Sequence, residues 1–365
     1  MYIAVYAICK NEASMMERWL RAVQDADEIV ILDTGSNDRT DEIIDRLRGE
    51  IGARLVYVRS AFDPFRFDDA RNAALALVSP DADWCFAFDI DEIPDPGWRR
   101  AIEDADAEAR ARGITRMEHP FVSSHDADGK PGTTFLRRLI HRRTGYRWTG
   151  IVHETLAGAH PAVACDVVLH HWPDATKSRA QYLPALARAA ADEPYNARSA
   201  FYHARELMYY HRHAEATTEF LRFLALPTAT WSVERAEGYR FLARCTEDLA
   251  QREAYLLQAT QTDPRRREHW VDLAQCLHNR REFARSLDAA RHALAITERA
   301  RDYINYPEAW GERAADLASV CAWFCGEHDA ARDYLRAALA LAPTHQRLRE
   351  NAHHMGVELP DMPNA

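Results

Sequence analysis

No apolar stretch in these 365 residues approaches the length needed to cross a bilayer, so no helical membrane span is expected. A leader pattern is missing too: the opening residues MYIAVYAICK read as a strand rather than a signal peptide. Basic charge is not in excess. Lys and Arg number 46 against 56 Asp and Glu, a formal net charge of −10, which disfavours wholesale nucleic-acid binding. Cysteines are few and unpatterned: seven, an odd number, scattered mostly through apolar contexts. Only Cys321 and Cys325 stand at i, i+4, and two buried thiols on one helix face are expected there rather than a metal or redox pair. A disulfide framework is thereby excluded, and a reducing cytoplasm is the expected compartment.

What is present divides in two, as the length alone suggests. Residues 1–175 alternate between strands and helices. Tyr2–Cys9, Glu28–Asp33, Arg54–Val58 and Trp84–Phe88 read as strands. Met15–Gln24, Thr40–Arg48 (with Thr40 as N-cap), Asp68–Val78 and Gly97–Arg112 read as helices. Strands separated by ten-residue helices imply a mostly parallel sheet with right-handed crossovers. Thr115–Ser123, Phe135–His141 and Val163–His170 are later strands. Residues 176–365 have almost no strand pattern; they are Ala- and Arg-rich and helical. Alanine marks at 204, 243, 274 and 318 recur irregularly around the roughly 34-residue tetratricopeptide period. About four degenerate helix pairs stacked in a short solenoid are expected, against the alternative of an ordinary bundle. Asp263-Pro264 and Ala342-Pro343 punctuate unit ends.

The most informative motif is Asp89-Ile90-Asp91-Glu92, which closes the apolar run Trp84-Cys85-Phe86-Ala87-Phe88. In a strand, i and i+2 point to the same side, so Asp89 and Asp91 are expected to converge at the carboxyl edge of the sheet, where open α/β folds bind ligands. Two convergent carboxylates suit a hard divalent cation that also holds phosphates.

Other landmarks accompany it in order. They are Ile8-Cys9-Lys10-Asn11-Glu12, Glu28 through Asp33-Thr34-Gly35-Ser36-Asn37-Asp38-Arg39-Thr40, Ala70-Arg71-Asn72, Trp148-Thr149-Gly150-Ile151-Val152-His153-Glu154, and Val168-Leu169-His170. Together, from Tyr2 to about Asp174, they resemble glycosyltransferase family 2, the inverting enzymes of the GT-A fold. With its helical second half the chain is also similar to peptide S-glycosyltransferases that modify bacteriocins and to lipopolysaccharide core-type family 2 enzymes.

The resemblance implies an α/β GT-A domain followed by an all-α tetratricopeptide-like domain for acceptor binding or dimerisation. It also implies a nucleotide-diphosphate sugar donor, most commonly UDP-linked, and Mn²⁺ or Mg²⁺. Asp91 is the expected direct metal ligand, and Asp89 binds the metal directly, through water, or touches the ribose. His170 is the further ligand the resemblance points to; His171 alternates to the opposite face, so only one of them is expected to serve. Asp33 would accept a hydrogen bond from the base, while Ile8, Asn11 and Glu12 begin the loop under the nucleoside. Arg71 and Arg138 are candidates to grip the diphosphate. Inversion needs a base to take the acceptor's proton: Glu154 is the first candidate, with Glu92 and His153 as rivals. Trp148 and Gly150 would form an acceptor wall.

Five arginines between Arg137 and Arg147 either meet an anion or solvate an edge strand, and Arg265-Arg266-Arg267 is expected to be a surface cluster. Two other classes remain open. A nucleotidyltransferase would carry a Gly-rich basic loop after the first strand, where this chain has Cys9-Lys10-Asn11-Glu12. A non-catalytic repeat scaffold would not need Asp33, Asp89 and Asp91 intact. The acceptor is open among peptide or protein, glycan and hydroxylated DNA base.

Overall fold

A computed structural model describes residues 1–126, 128–174 and 182–359. The chain forms two compact units, Met1–Ala189 and Ala190–Ala365. The expected boundary at 175/176 lies outside the described residues.

Unit 1 opens with the expected rhythm: β1 (Ile3–Cys9), α1 (Met16–Ala22), β2 (Glu28–Asp33), α2 (Thr40–Leu47), β3 (Arg54–Arg59), α3 (Phe67–Leu77) and β4 (Trp84–Ala87). β2 and β4 are buried along their whole length, the pattern of strands covered on both faces. β1 pairs in parallel with β2 on one side and β4 on the other, and β3 extends the parallel set beyond β2. This part of the sheet is what the apolar runs predicted.

The remainder is more mixed. After β5 (Glu92–Pro94) and α4 (Trp98–Ala111) come β6 (Arg116–Val122), β7 (Thr134–His141), β8 (Arg147–Thr149), β9 (Thr155–Ala157), β10 (Val163–Ala164) and β11 (Leu169–His171). The sheet order is β3-β2-β1-β4-β7-β6-β11-β5, with β10 also on β6 and a separate β8-β9 hairpin. β7 is antiparallel to both β4 and β6; it follows β6 directly, through a connection too short for a parallel crossover. The single strand expected over Val163–His170 is two short strands, β10 and β11.

Two local expectations are corrected. Thr40 is not an N-cap but the first residue of α2. Asp38 does the capping, accepting from the Thr40 N–H at 3.0 Å and its hydroxyl at 2.6 Å. Asp89 and Asp91 do not extend β4: it ends at Ala87, and the pair lies in a turn closed by the Glu92 N–H donating to the Asp89 carbonyl at 3.0 Å.

The helix α5 (Tyr182–Asp192) leads into unit 2. There, α6 (Ala197–Tyr209) pairs with α7 (His213–Ala225), α8 (Ser232–Arg244) with α9 (Leu249–Thr262), α10 (Arg267–Asn279) with α11 (Phe283–Ala295), and α12 (Arg313–Phe324) with α13 (His328–Leu341), before the terminal α14 (Gln346–Met355). The first helices of successive pairs also touch, α6 on α8, α8 on α10 and α10 on α12, so the pairs stack as a repeat array. Ala204, Ala243, Ala274 and Ala318 are all buried; small side chains there let neighbouring helices close in. Asn196 caps α6 through the Arg198 and Ser199 N–H groups, and Asp248 caps α9. Phe201 and Tyr202 are core, whereas Tyr209 and Tyr210 are exposed. The connection from α11 to α12 is far longer than the others, and as a strap it folds back over α10, α8 and α6. Tyr303 stacks on Tyr202 with centroids 6.2 Å apart, its hydroxyl donates to Glu234 at 2.5 Å, and Tyr306 lies over Arg240 at 4.8 Å. The strap also corrects the arginine tract: Arg266 is buried, held between Asp263 and Asp302.

Candidate active site

The carboxyl rim of the parallel strands is built by two interlaced loops. Asp33, at the tip of β2 and 0% exposed, turns its carboxylate inward. Oδ1 accepts from the Gly35 and Ser36 N–H groups at 2.8 and 2.7 Å, and Oδ2 from the Tyr57 hydroxyl at 2.6 Å. Burial opposes its ionisation, but Tyr57 and the two N–H donors outweigh that and hold the carboxyl below the usual range. The ordered Ser36 then receives the Asn11 N–H at 2.8 Å, and Asn37 donates to Asn11 Oδ1 at 2.8 Å. Glu12 donates its N–H to Thr40 Oγ1 at 2.9 Å. Ile8 sits one residue before the end of β1, opposite Leu32. In this geometry Asp33 fixes the loop that carries Asn11 and Glu12; Tyr57, one strand away, is the partner that sequence reasoning missed.

Across the rim, Arg71 is the hub. It projects from α3 with its side chain 7% exposed, donates through Nη2 to Asp89 Oδ1 at 2.6 Å, and through Nε contacts Glu154 Oε1. The Trp148 ring lies 4.8 Å from the guanidinium. Arg71, Asp89 and Glu154, far apart in sequence, therefore form one triad. Burial works against the Asp89 carboxylate, yet Arg71 and then Arg137 outweigh it and hold it below the ordinary carboxyl range. Glu92 accepts from the Asp89 N–H at 3.1 Å and contacts Arg137. Its burial raises its pKa, with Arg137 opposing.

Trp148 is buried beneath Arg71, rather than standing as an acceptor wall. Its Nε1–H donates to the Tyr6 hydroxyl at 2.8 Å, its backbone exchanges hydrogen bonds with the Asn72 side chain at 2.9 Å in both directions, and Tyr6 meets His141 Nε2 at 3.0 Å. His141 Nδ1 faces the Arg142 carbonyl at 2.7 Å; a proton there leaves Nε2 to accept from Tyr6. Gly150, at φ 109°, needs the left-handed region, and its N–H donates to Asp68 Oδ2 at 3.0 Å. His153, also at positive φ, stacks on Tyr182 with centroids 6.2 Å apart.

The two histidines separate as alternation requires, and His171 is the one that lies beside Asp91. His171 Nε2 stands 3.3 Å from Asp91 Oδ2. Burial opposes protonation of His171, but Asp91 outweighs it and raises the pKa. His170 turns away, its Nδ1 3.0 Å from His125 Nε2 and its Nε2 3.3 Å from Asp95. Likewise Arg138 pairs with Glu118 at 2.7 Å, while its neighbour Arg137 reaches Glu92 and lies 4.4 Å from the Phe121 ring. Among the described residues, no three His, Cys, Asp or Glu side chains gather tightly enough to hold a metal alone. Asp91 with His171 is an O,N donor pair, and its imidazole suits Mn²⁺ better than Mg²⁺, which prefers oxygen donors.

Taken together, this is an α/β domain with an acidic and arginine-bearing site at its carboxyl rim, followed by an array of helix pairs. Residues 4–108 match the model of Glycosyl transferase family 2, so unit 1 carries a domain of that family. A TPR repeat-containing protein of Synechococcus elongatus is 38% identical over 155 residues, which cover 42% of this chain and 34% of the relative. The chain thus spans about a third of that relative's length. Two solved structures are similar over close to half of the chain. One is Pseudomonas aeruginosa pilF, with 17% identity, TM-score 0.39, 47% of this chain and 72% of that one. The other is a thermophilic TPR protein of Thermus thermophilus, with 18% identity, TM-score 0.32, 47% and 88%. Among the described residues no helix is long and apolar enough to cross a membrane.

Proposed function

We propose that unit 1 is an inverting glycosyltransferase moving a sugar from a nucleotide-diphosphate donor, UDP-linked, to a peptide or protein acceptor. The observation that carries this reading is Arg71 held between Asp89 and Glu154 beside the Asp91–His171 pair. The nucleoside lies over the Asn11–Glu12 loop, whose shape Asp33 maintains. Breaking the bond between the anomeric carbon and the diphosphate leaves charge on phosphate oxygens, which Arg71 and Arg137 face as preorganised cations. Asp91 and His171 would hold Mn²⁺ or Mg²⁺, which when bound supplies further neutralisation of the diphosphate. Glu154 takes the acceptor's proton as the new bond forms, oriented by its contact with Arg71. Unit 2 serves as an acceptor-binding or dimer surface.

The test is incubation with a panel of nucleotide sugars and Mn²⁺, reading donor hydrolysis and then intact-mass gain on candidate acceptors. Turnover of one donor, lost in Asp91→Asn, is the expected result. No nucleotide binding by calorimetry, with or without Mn²⁺, would leave a non-catalytic scaffold instead.

A further inference from the structure

Several shielded guanidinium groups of unit 2 are held against carboxylates, whereas among the described residues Arg267, over the Trp310 ring, and Arg205 are not. Arg240 donates to Glu237 at 2.9 Å and Asp272 at 2.7 Å. Arg266 is clamped by Asp263 and Asp302, and Arg198 lies 3.6 Å from Glu234. Arg205, on the same face of α6, touches tyrosine rings instead. Its guanidinium carbon is 4.3 Å from the centre of Tyr202 and 5.8 Å from that of Tyr209, and Tyr303 of the strap stacks on Tyr202. Its Nε is shut off from water with no hydrogen-bond partner, and among the described residues no carboxylate forms an ion pair with it. A guanidinium has five donors in a planar fork, and a donor left desolvated and unmatched, as at Nε, is a standing cost that an acceptor atom removes.

We propose that Arg205, seated against the Tyr202 and Tyr209 rings of α6, is a binding site for a single carboxylate carried next to an apolar or aromatic group. The fork matches a carboxylate in two parallel hydrogen bonds, and the ring faces take the carbon skeleton beside it. The neighbours decide against a dianion: Glu234 and Glu268 accept from the strap at the Tyr303 hydroxyl and the Tyr306 N–H and repel a phosphate more than a monoanion. Tyr209, at the end of α6, is half exposed. The strap backs this site, since Tyr303 stacks on Tyr202. All of its groups lie in unit 2, so it holds whether or not unit 1 transfers sugar. The carboxylate comes either from a free aromatic acid or from an acidic side chain of a polypeptide, and the test distinguishes them.

The test uses the full chain and calorimetry at neutral pH with four probes. They are phenylacetate, a blocked Gly/Ser decapeptide carrying one Glu-Phe pair, its Gln-Phe counterpart, and inorganic phosphate. Binding of the Glu-Phe peptide at least tenfold tighter than the Gln-Phe peptide supports a carboxylate site fed by polypeptide. Binding of phenylacetate alone supports the site and assigns it a small acid. In either case Arg205→Gln weakens the bound probe at least tenfold and Tyr209→Ala weakens it severalfold, while Arg265→Gln, on the exposed surface, changes nothing. Equal binding of the Glu and Gln peptides overturns the proposal, as does tighter binding of phosphate, or no binding of any probe. The wild-type peptide comparison decides the matter even if Arg205→Gln fails to fold.

Discussion

Arg71 Nη2 donates to Asp89 Oδ1 at 2.6 Å, joining the acidic turn to helix α3. The same guanidinium holds Glu154, whose side chain is 9% exposed. Removing the cation strands a nearly buried carboxylate, a loss of about 3–5 kcal/mol for a broken buried pair. Arg71→Met is therefore expected to lower the denaturant midpoint of unit 1 clearly, with Arg71→Lys intermediate. An unchanged midpoint in Arg71→Met would show that the triad does not hold the rim together.

The Asp91–His171 contact separates two histidines that adjoin in sequence. On the proposed mechanism, chelation of divalent metal abolishes donor turnover, and His171→Ala shifts the Mn²⁺ titration to higher concentration by tenfold or more. His170→Ala leaves that titration where it was. A shifted titration in the His170 variant alone would return the role to His170.

Tyr57 reaches from β3 to Asp33 on β2. Tyr57→Phe removes one hydrogen bond to a charged group, about 1.5–3 kcal/mol, and loosens the Asn11 loop. The expected signature is a lower melting temperature with weaker nucleotide binding in calorimetry. Full affinity in a destabilised variant would detach the loop from the nucleoside.

His119 is fully buried beside Phe86, and burial pushes its pKa down to about 3. The unfolded chain takes up a proton near pH 6.5 and the folded one does not until about pH 3, so this histidine's stabilisation is complete above 6.5 and is lost as the pH falls. By pH 5 the loss is about 2 kcal/mol. Denaturation at pH 7 and 5 should show a smaller acid-induced drop in His119→Leu than in wild type. An equal drop in both would mean that His119 is protonated in the folded state.

Much of this architecture is visible in the residues. The runs Ile3–Cys9 and Glu28–Asp33 are continuous apolar strands because both faces are covered, and the alanine marks predict where repeat helices touch. What could not be read depends on geometry that spacing leaves open. Arg137 and Arg138 are adjacent in β7, so one faces the site and the other does not, and alternation alone cannot say which; the same holds for His170 and His171. Asp89-x-Asp91 suggests a strand by its register, yet the chain turns at Phe88, and the carboxylates are set by Arg71 and His171 from distant segments. Tyr57 and Tyr6 bear no motif at all. Their roles arise from cross-strand neighbours, which only the sheet order brings together.

The long α11–α12 connection has one more effect. In a plain stack each rung leans on its neighbours alone, and the ends can fray independently. Here Tyr303 and Tyr306 brace α6 and α8 from a point two rungs further along. Such a brace ties the melting of the first pair to that of the third, so the ladder comes apart as one piece rather than rung by rung.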